Sequence, residues 1–320
     1  MCPYTKQTRS KGVMSYELFQ KIVDNKWLSH SDFVRFHGMG EPLLNKELIN
    51  MINYAGERGI KTEISTNICL LDSKRSERLL DSSLTQIIMS LDGVNPETYE
   101  RVRKKANFKK SVDNIHKFLE LKKKKQSNIW VVLQIICMEE MVEQINDFVE
   151  YWRSYDGVNE IRIRFVNDWA GNISNESGNN SKKRIYPCSL LWESVVIQYD
   201  GMVVPCCRDY DSKYILGDLK KQPLDEIWNG PAMLKLRREH LEGNYDNVLC
   251  KNCTDYSYVN PGITRFLMRG AMRVIGKKNV SNNNSFSEGL KQKLGSTLDN
   301  SSYSESQCEI NIYLRAKNTQ

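Results

Sequence analysis

No stretch of this 320-residue chain approaches the roughly 20 apolar residues that a bilayer span requires, and no charged segment leading into a short apolar run opens it. These absences point to a cytoplasmic protein with no membrane span. No Ser-His-Asp set and no His-Glu-x-x-His run is evident, and Gly38-x-Gly40 lacks the last glycine and the acidic partner of a dinucleotide fingerprint. Hydrolase and Rossmann readings fall away. Charge is not heavily one-sided either: the net is +7, and its most visible source is Lys122 to Lys125, lysines that complement the C-terminal dipole of an expected helix. No aromatic residue is interleaved with that run and no recognition motif accompanies it, so nucleic acid is not an expected partner.

What the chain does contain is an apolar share of 40%, enough to fill a sizeable core, and nine cysteines. In a large cytosolic chain, cysteines at this density serve metal ligation or catalysis more often than disulfides. From residue 15 to residue 166 helix-period and strand-like segments alternate, the pattern of βα units around a parallel sheet. The expected strands are Asp32–Phe36, Lys61–Ser65, Gln86–Leu91, Ile129–Ile136 and Glu160–Val166, short and rich in Ile, Val and Phe. Between Glu139 and Arg153, Met141, Val142, Ile145, Phe148, Val149 and Trp152 recur at three- and four-residue steps and predict a helix with one apolar stripe. A loop and helix open the chain where a βα unit would place a strand, so a first strand is expected to be missing.

The spacing divides the chain into a core domain over 1–167, a Gly/Asn/Ser/Lys-rich linker over 168–183 and a cysteine-bearing domain over 184–262. A terminal helix is expected over 263–276 and a disordered Ser/Asn-rich tail over 277–320. Within the cysteine region, Glu193–Gln198 and Met202–Cys206 flank Asp200-Gly201, a strong hairpin signal. Pro223 precedes a helical pattern running to about His240, and a loop carries Cys250 and Cys253. Arg265, Arg269 and Arg273 share one face of the terminal helix, either solvated or set against an acidic surface.

Cys188, Cys206, Cys250 and Cys253 read as one metal site. Zinc and iron-sulfur clusters both accept four thiolates. Zinc ribbons show two close pairs, whereas here only Cys250-x2-Cys253 is close and Cys188 stands 18 positions from Cys206 across the hairpin, a spacing that favours an iron-sulfur cluster over zinc. Cys207 competes with Cys206, but strand neighbours point to opposite faces and only one can reach the metal; Cys206 is the choice.

Cys188, Gly201, Cys206 and Cys250-x2-Cys253 together resemble the auxiliary-cluster domain of radical S-adenosylmethionine (SAM) enzymes, called SPASM, or twitch in its one-cluster form. The next cysteine is Cys308, so the resemblance is to the one-cluster form. The front of the chain resembles the same superfamily's core, a partial (βα)6 TIM-like barrel, so that the whole reads as an α/β fold with its first strand missing and a small C-terminal domain containing a β-hairpin. Family members carry Cys-x3-Cys-x2-Cys after the first strand, often ending Met-Cys-Pro. Met1-Cys2-Pro3 resembles that ending, which implies Cys2 as a cluster ligand and two further cysteines upstream of residue 1. The chain is accordingly expected to be N-terminally incomplete, or else a one-cluster form that has lost the first site.

Gly38-Met39-Gly40-Glu41-Pro42 resembles the family's Gly-Gly-Glu-Pro element, whose backbone and Glu contact the SAM amino group, and Ser65-Thr66-Asn67 resembles its Thr-Asn element. By the same resemblance Ser90 and Asp92 approach the SAM ribose or carboxylate, Arg103 the carboxylate and Gln134 the nucleoside. Read without it, Arg103 is equally a surface helix residue and Gln134 a partner for a buried backbone group. Arg162 and Arg164 point to one side of the last strand, into the barrel mouth or to solvent, and His37 is either an acid–base group or a structural one. The resemblance, which covers about residues 1 to 256, implies 4Fe-4S clusters and SAM as cofactors. It also implies an electron donor such as flavodoxin or ferredoxin, and a small-molecule or peptide substrate from which a 5'-deoxyadenosyl radical takes hydrogen. The auxiliary cluster would then accept an electron; a peptide-modifying enzyme and an inactive one-cluster protein are the alternatives.

Overall fold

Five segments form parallel strands in a computed structural model that describes residues 2–25, 28, 33–166, 169–172, 187–253 and 313–315. They are β1 Phe33–Arg35, β2 Lys61–Thr66, β3 Gln86–Ser90, β4 Trp130–Cys137 and β5 Glu160–Phe165, each within one residue of its expected bounds. The sheet runs β1-β2-β3-β4-β5. Parallel neighbours need a crossover between them. Helix α1 Tyr16–Val23 precedes β1, α2 Leu48–Glu57 and α3 Ser73–Leu80 follow β1 and β2, α4 Pro96–Val102 and α5 Phe108–Lys124 join β3 to β4, and α6 Ile145–Arg153 leads into β5.

Because side chains alternate along a strand, the two faces of this sheet separate by chemistry. Ile64, Ile87, Met89, Val131, Leu133 and Ile135 point outward and join the helical stripes, including Phe19, Met51, Phe118 and Trp152, in one apolar core. The opposite face carries Arg35, Glu63, Ser65, Ser90, Gln134 and Arg162, all buried. Register aligns Arg35 with Glu63 and Gln86 at one level and Ser90 with Gln134 and Arg162 at another, with Ser65, Ile88, Val132 and Glu160 between them. TIM-barrel interiors are ordinarily filled by layers of Val, Ile and Leu. A polar inner layer is instead what a ligand-bearing barrel presents.

Two expected helices are subdivided. Residues Glu139–Gln144 form a 3-10 turn before α6, since apolar spacing at three residues serves that geometry as well as the α form. The pattern after Pro223 splits into α8 Leu224–Trp228 and α9 Pro231–Leu241, because Pro231 has no N–H to donate and holds Gly230 extended. The lysine run also differs from an open solvated end. Lys122 is buried, donating from Nζ to Gly157 O and Asn159 Oδ1, both at 2.9 Å, while Lys123 pairs with Asp156 and Lys125 with Asp81.

A second sheet follows the one-turn helix α7 Leu190–Glu193. Its order is β8-β7-β6-β9, all antiparallel, with β6 Ser194–Ile197, β7 Met202–Val204, β8 Gly217–Asp218 and β9 Tyr313–Arg315. The expected hairpin turns at Asp200-Gly201, but β7 stops short of Cys206 because Pro205 cannot continue the ladder. β9 falls within the segment expected to be disordered; the rest of 277–320, the expected terminal helix 263–276 with its three arginines, and most of the linker 168–183 lie outside the described residues.

Candidate functional site

The glycine motif leaves β1 and turns back over the C-terminal ends of the strands. Gly40 adopts φ +136°, which a side chain would not tolerate, and so lets Glu41 face β2. There the Glu41 carboxylate accepts from Thr66 Oγ1 at 2.8 Å, from the Asn67 backbone N–H at 2.8 Å and from the Leu43 N–H at 3.2 Å. Burial pushes its carboxyl up, against the opposing pull of those hydrogen bonds and of the nearby Arg103 charge. The Gly-Gly-Glu-Pro-like and Thr-Asn-like elements are thus one hydrogen-bonded unit. Just beyond them Ile68 sits at φ +71°, a strained conformation for a β-branched residue. Thr66 Oγ1 accepts from the Ile68 N–H and Asn114 Nδ2 donates to its carbonyl, which holds the strain in place.

At the end of β3 the arrangement differs from direct ligand contact by every candidate. Asp92 is fully buried; its Oδ2 accepts from Arg103 Nε at 2.9 Å and from Nη2, and its Oδ1 accepts from the Ile136 N–H at 2.9 Å. Asp92 therefore orients Arg103 instead of standing open to a ligand. Gly93 makes this possible: a Cβ there would lie 2.5 Å from the Tyr99 backbone, so only glycine lets α4 pack close enough for Arg103 to reach back. Arg103, 22% exposed at its side chain, is no detached surface residue. Gln134 Nε2 donates to Ser90 Oγ at 3.4 Å, so these two candidates are neighbours on the inner face. Arg162 shares that face, buried, with Nε bonded to Glu160 Oε1 at 2.8 Å and a buried Nη1 that meets no hydrogen-bond partner among the described residues.

Deeper in the sheet lies a cluster that sequence reasoning missed. Arg35 Nε donates to Glu63 Oε1 at 2.8 Å, Gln86 Nε2 donates to Glu63 Oε2 at 2.8 Å, and His37 Nε2 stands 3.6 Å from Glu63 Oε1. This contact gives His37 a structural place. The signal was present as Arg35-x-His37 and Glu63-x-Ser65, polar residues at a two-residue period. Beside His37, a cleft of about 340 Å³ opens between the N-terminal segment and the glycine motif, lined among others by Tyr4, Gln7, Met14, Met39 and Glu41. That is within the ~300–1,000 Å³ of small-molecule pockets.

Cys2, exposed, begins the segment that bounds this cleft, and the segment is clamped to the second sheet. Asp211 accepts from the Thr8 N–H, Thr8 Oγ1 and the Arg9 N–H, while Arg9 also bonds Gln198 Oε1 and Asp200. Burial alone would raise the Asp211 carboxyl, but these hydrogen bonds outweigh it and hold it below the usual range.

The four cysteines converge in the C-terminal part. Burial pushes the Cys206 thiol well up, and Cys188, Cys250 and Cys253 each add to that shift through their charge. Cys207 instead packs with Val196 and Val204 in a small apolar cluster. Their separation comes from a turn after β7, where the buried Asp209 accepts from the Lys213 and Tyr214 N–H groups. In the Cys250 loop, Asn247 Oδ1 accepts from the Leu249 and Cys250 N–H groups. Neighbouring, half-buried thiols of this kind repel one another as thiolates and call for positive charge between them, which irons supply. Among the described residues no three such groups stand close enough to hold one ion, a spacing that a multi-iron cluster does not require. Sequence reasoning also missed His240 on α9, buried against this site. Nothing in its spacing marks it, because only the fold brings it there.

Comparison with known proteins bears on both halves. The radical SAM superfamily model matches residues 2–151, and that of the SPASM iron-sulfur cluster-binding domain matches residues 188–254. A probable GTP 3',8-cyclase of Methanocaldococcus jannaschii is 28% identical over 128 residues, 40% of this chain and 41% of that protein. A dTDP-4-amino-4,6-dideoxy-D-glucose ammonia-lyase of Streptomyces venezuelae is 28% identical over 160 residues, 48% of this chain and 33% of that protein. The chain thus matches less than half the length of these two relatives. A tungsten-containing aldehyde ferredoxin oxidoreductase cofactor-modifying protein of Pyrococcus furiosus is 23% identical over 300 residues, 77% of this chain and 80% of that protein. Among solved structures, BtrN in complex with AdoMet and 2-DOIA superposes with a TM-score of 0.53 at 20% identity, covering 81% of this chain and 87% of that one. Native anSMEcpe with bound AdoMet gives 0.54 at 15% identity, covering 78% and 83%. At such identities the likeness is one of fold. The family's cofactors are 4Fe-4S clusters and SAM, and the matched segments contain the glycine motif, the strand-end residues and all four clustered cysteines. The chain belongs to the radical SAM superfamily and carries a SPASM-type iron-sulfur cluster-binding domain.

Proposed function

We propose that this protein removes a hydrogen atom from a substrate held in the barrel mouth and delivers the electron left behind to the four-cysteine site, a net two-electron oxidation. The observation that carries the SAM site is the opposition of Glu41 and Arg103, close enough that the Arg103 charge acts on the Glu41 carboxyl. The methionyl end of SAM bears an ammonium and a carboxylate. Glu41, fixed by Thr66 and Asn67, is the acceptor for the first, and Arg103, aligned by Asp92, is the donor to the second. When bound, SAM and a reduced 4Fe-4S cluster supply the 5'-deoxyadenosyl radical. The protein's part is to orient and to exclude water.

Cys2 is one of the three thiolates that the family motif asks for. Ser90, Gln134 and Arg162 form the polar wall against which substrate lies, and the buried Arg162 N–H selects a substrate with an acceptor group. Cys188, Cys206, Cys250 and Cys253 would occupy all four corners of an auxiliary cluster, leaving no open iron, which suits electron transfer over substrate ligation.

The test is anaerobic incubation of the iron-loaded protein, including any in-frame sequence upstream of Met1, with SAM and a strong reductant. Formation of 5'-deoxyadenosine and methionine is expected. Their absence from a fully loaded protein would overturn the enzyme reading in favour of a one-cluster iron-sulfur protein.

A further inference from the structure

His240 lies at the C-terminal end of α9 and is 1% exposed. Its Nδ1 accepts a hydrogen bond from the Cys188 backbone N–H at 3.2 Å, and its Nε2 stands 3.4 Å from Cys250 Sγ. The first contact fixes the second. A backbone N–H can only donate, so Nδ1 carries no proton; the neutral ring then bears its proton on Nε2 and donates it to the Cys250 sulfur. Tyr245 packs edge-on against the ring, with centroids 5.0 Å apart at 85°, and holds it in that plane. One imidazole thus bridges two of the four cysteines, from the backbone of Cys188 to the side chain of Cys250.

We infer that His240 is a positioning residue that sets the reduction potential of the cluster held by Cys188, Cys206, Cys250 and Cys253, by donating an Nε2–H hydrogen bond to the Cys250 thiolate. The inference rests on the four-cysteine site proposed above and goes beyond it. Reduction adds one electron, and the added negative charge spreads onto the thiolate sulfurs. An N–H aimed at one of those sulfurs stabilises the reduced form more than the oxidised one and raises the potential. At a buried site this effect is not diluted by water. The effect enters at the Cys250 corner, where the ring nitrogen stands 3.4 Å from the sulfur.

The experiment is potentiometric titration of the full chain, reconstituted anaerobically with iron and sulfide and followed by electron paramagnetic resonance, for the wild type, H240L and H240Q. Gln carries an acceptor oxygen and a donor N–H on one side chain and can remake both contacts; Leu makes neither. The expected result is a midpoint potential shifted negative in H240L at unchanged iron content, and restored toward wild type in H240Q. An H240L protein with wild-type iron content and wild-type potential overturns the inference. Should H240L fail to load, electron–nuclear double resonance on the reduced wild type labelled with 15N-histidine decides the matter. A weak nitrogen coupling and an exchangeable proton coupling support the donor role, and their absence refutes it. Failure of the wild type to take up iron and sulfide would instead sink the four-cysteine site itself.

Discussion

Arg103, the residue that ends α4, reaches back to Asp92 at the end of β3 and places Nε 2.9 Å from its Oδ2. A guanidinium so gripped on one edge is aimed, and aim is what a bidentate carboxylate contact needs. R103K, which keeps the charge but loses the planar fork, is expected to weaken SAM binding by about 10- to 100-fold, the equivalent of ~1.5–3 kcal/mol for a charge-assisted hydrogen bond. D92N should weaken it less and also lower stability, because the Ile136 N–H shares the same carboxylate. Anaerobic calorimetry with SAM checks both.

E41Q separates binding from folding. Burial raises the Glu41 carboxyl above its usual value of 4.5, so its ionised form is disfavoured by the fold. A raised carboxyl contributes stability at low pH that is lost as pH rises through the folded value. At neutral pH E41Q should therefore fold at least as well as the wild type while losing about tenfold or more in SAM affinity. Wild-type affinity should decline on acidification, and at higher pH than an exposed glutamate would dictate. Urea unfolding and SAM titration from pH 5 to 8 give both readings.

Glu63 neutralises Arg35 inside the sheet, with side chains only 3% and 7% exposed. E63L strands that guanidinium and should cost about 3–5 kcal/mol, whereas the E63L/R35M double variant should recover most of the loss. Chemical denaturation of the single and double variants tests this directly.

C206A and C207A should differ sharply despite being neighbours. Iron and sulfide content of the auxiliary site should collapse in C206A. In C207A, which removes a small apolar side chain packed on Val196 and Val204, iron content should hold and stability fall by about 0.5–3 kcal/mol.

Asp211 sets a pH-dependent anchor. Its carboxyl is held below its usual 3.8, so the stability it contributes is present above that value and is lost as pH falls through the lower folded one. D211N should be less stable than the wild type at pH 7, and the difference should shrink below about pH 4 as the wild-type carboxyl protonates. Limited proteolysis near Thr8 across that range would show the anchor releasing.

Much of the core was legible because a parallel sheet writes itself plainly: β3 and β4 are short, mainly apolar runs rich in Ile and Val, and Asp92-Gly93 follows soon after the first. Local chemistry also gave away Gly40 and the Asp200-Gly201 turn. The partnerships were hidden. No spacing rule joins Glu41 to Asn67, Arg103 to Asp92 or His240 to Cys250, because each pair meets through a crossover or a packed helix. Strand parity could not separate Cys206 from Cys207 either, since β7 ends at Val204 and a turn organised by Asp209 does the sorting. Lys122 was hidden for the opposite reason: the lysines that follow it are exposed, and its own partners, Gly157 and Asn159, lie beyond the next strand.

The clamp between Thr8 and Asp211 spans 203 positions of chain. A ribosome adding about 5–20 residues per second needs roughly 10–40 s to travel that far. The segment carrying Cys2 therefore leaves the exit tunnel well before its anchor is made, waiting for a partner 203 residues behind it. Throughout that interval the βα region can already fold, while the wall that bounds its cleft has nothing to close against. Assembly of the first site is consequently timed by synthesis of the second domain, and a nascent chain stalled before residue 211 would hold a finished sheet with an open side.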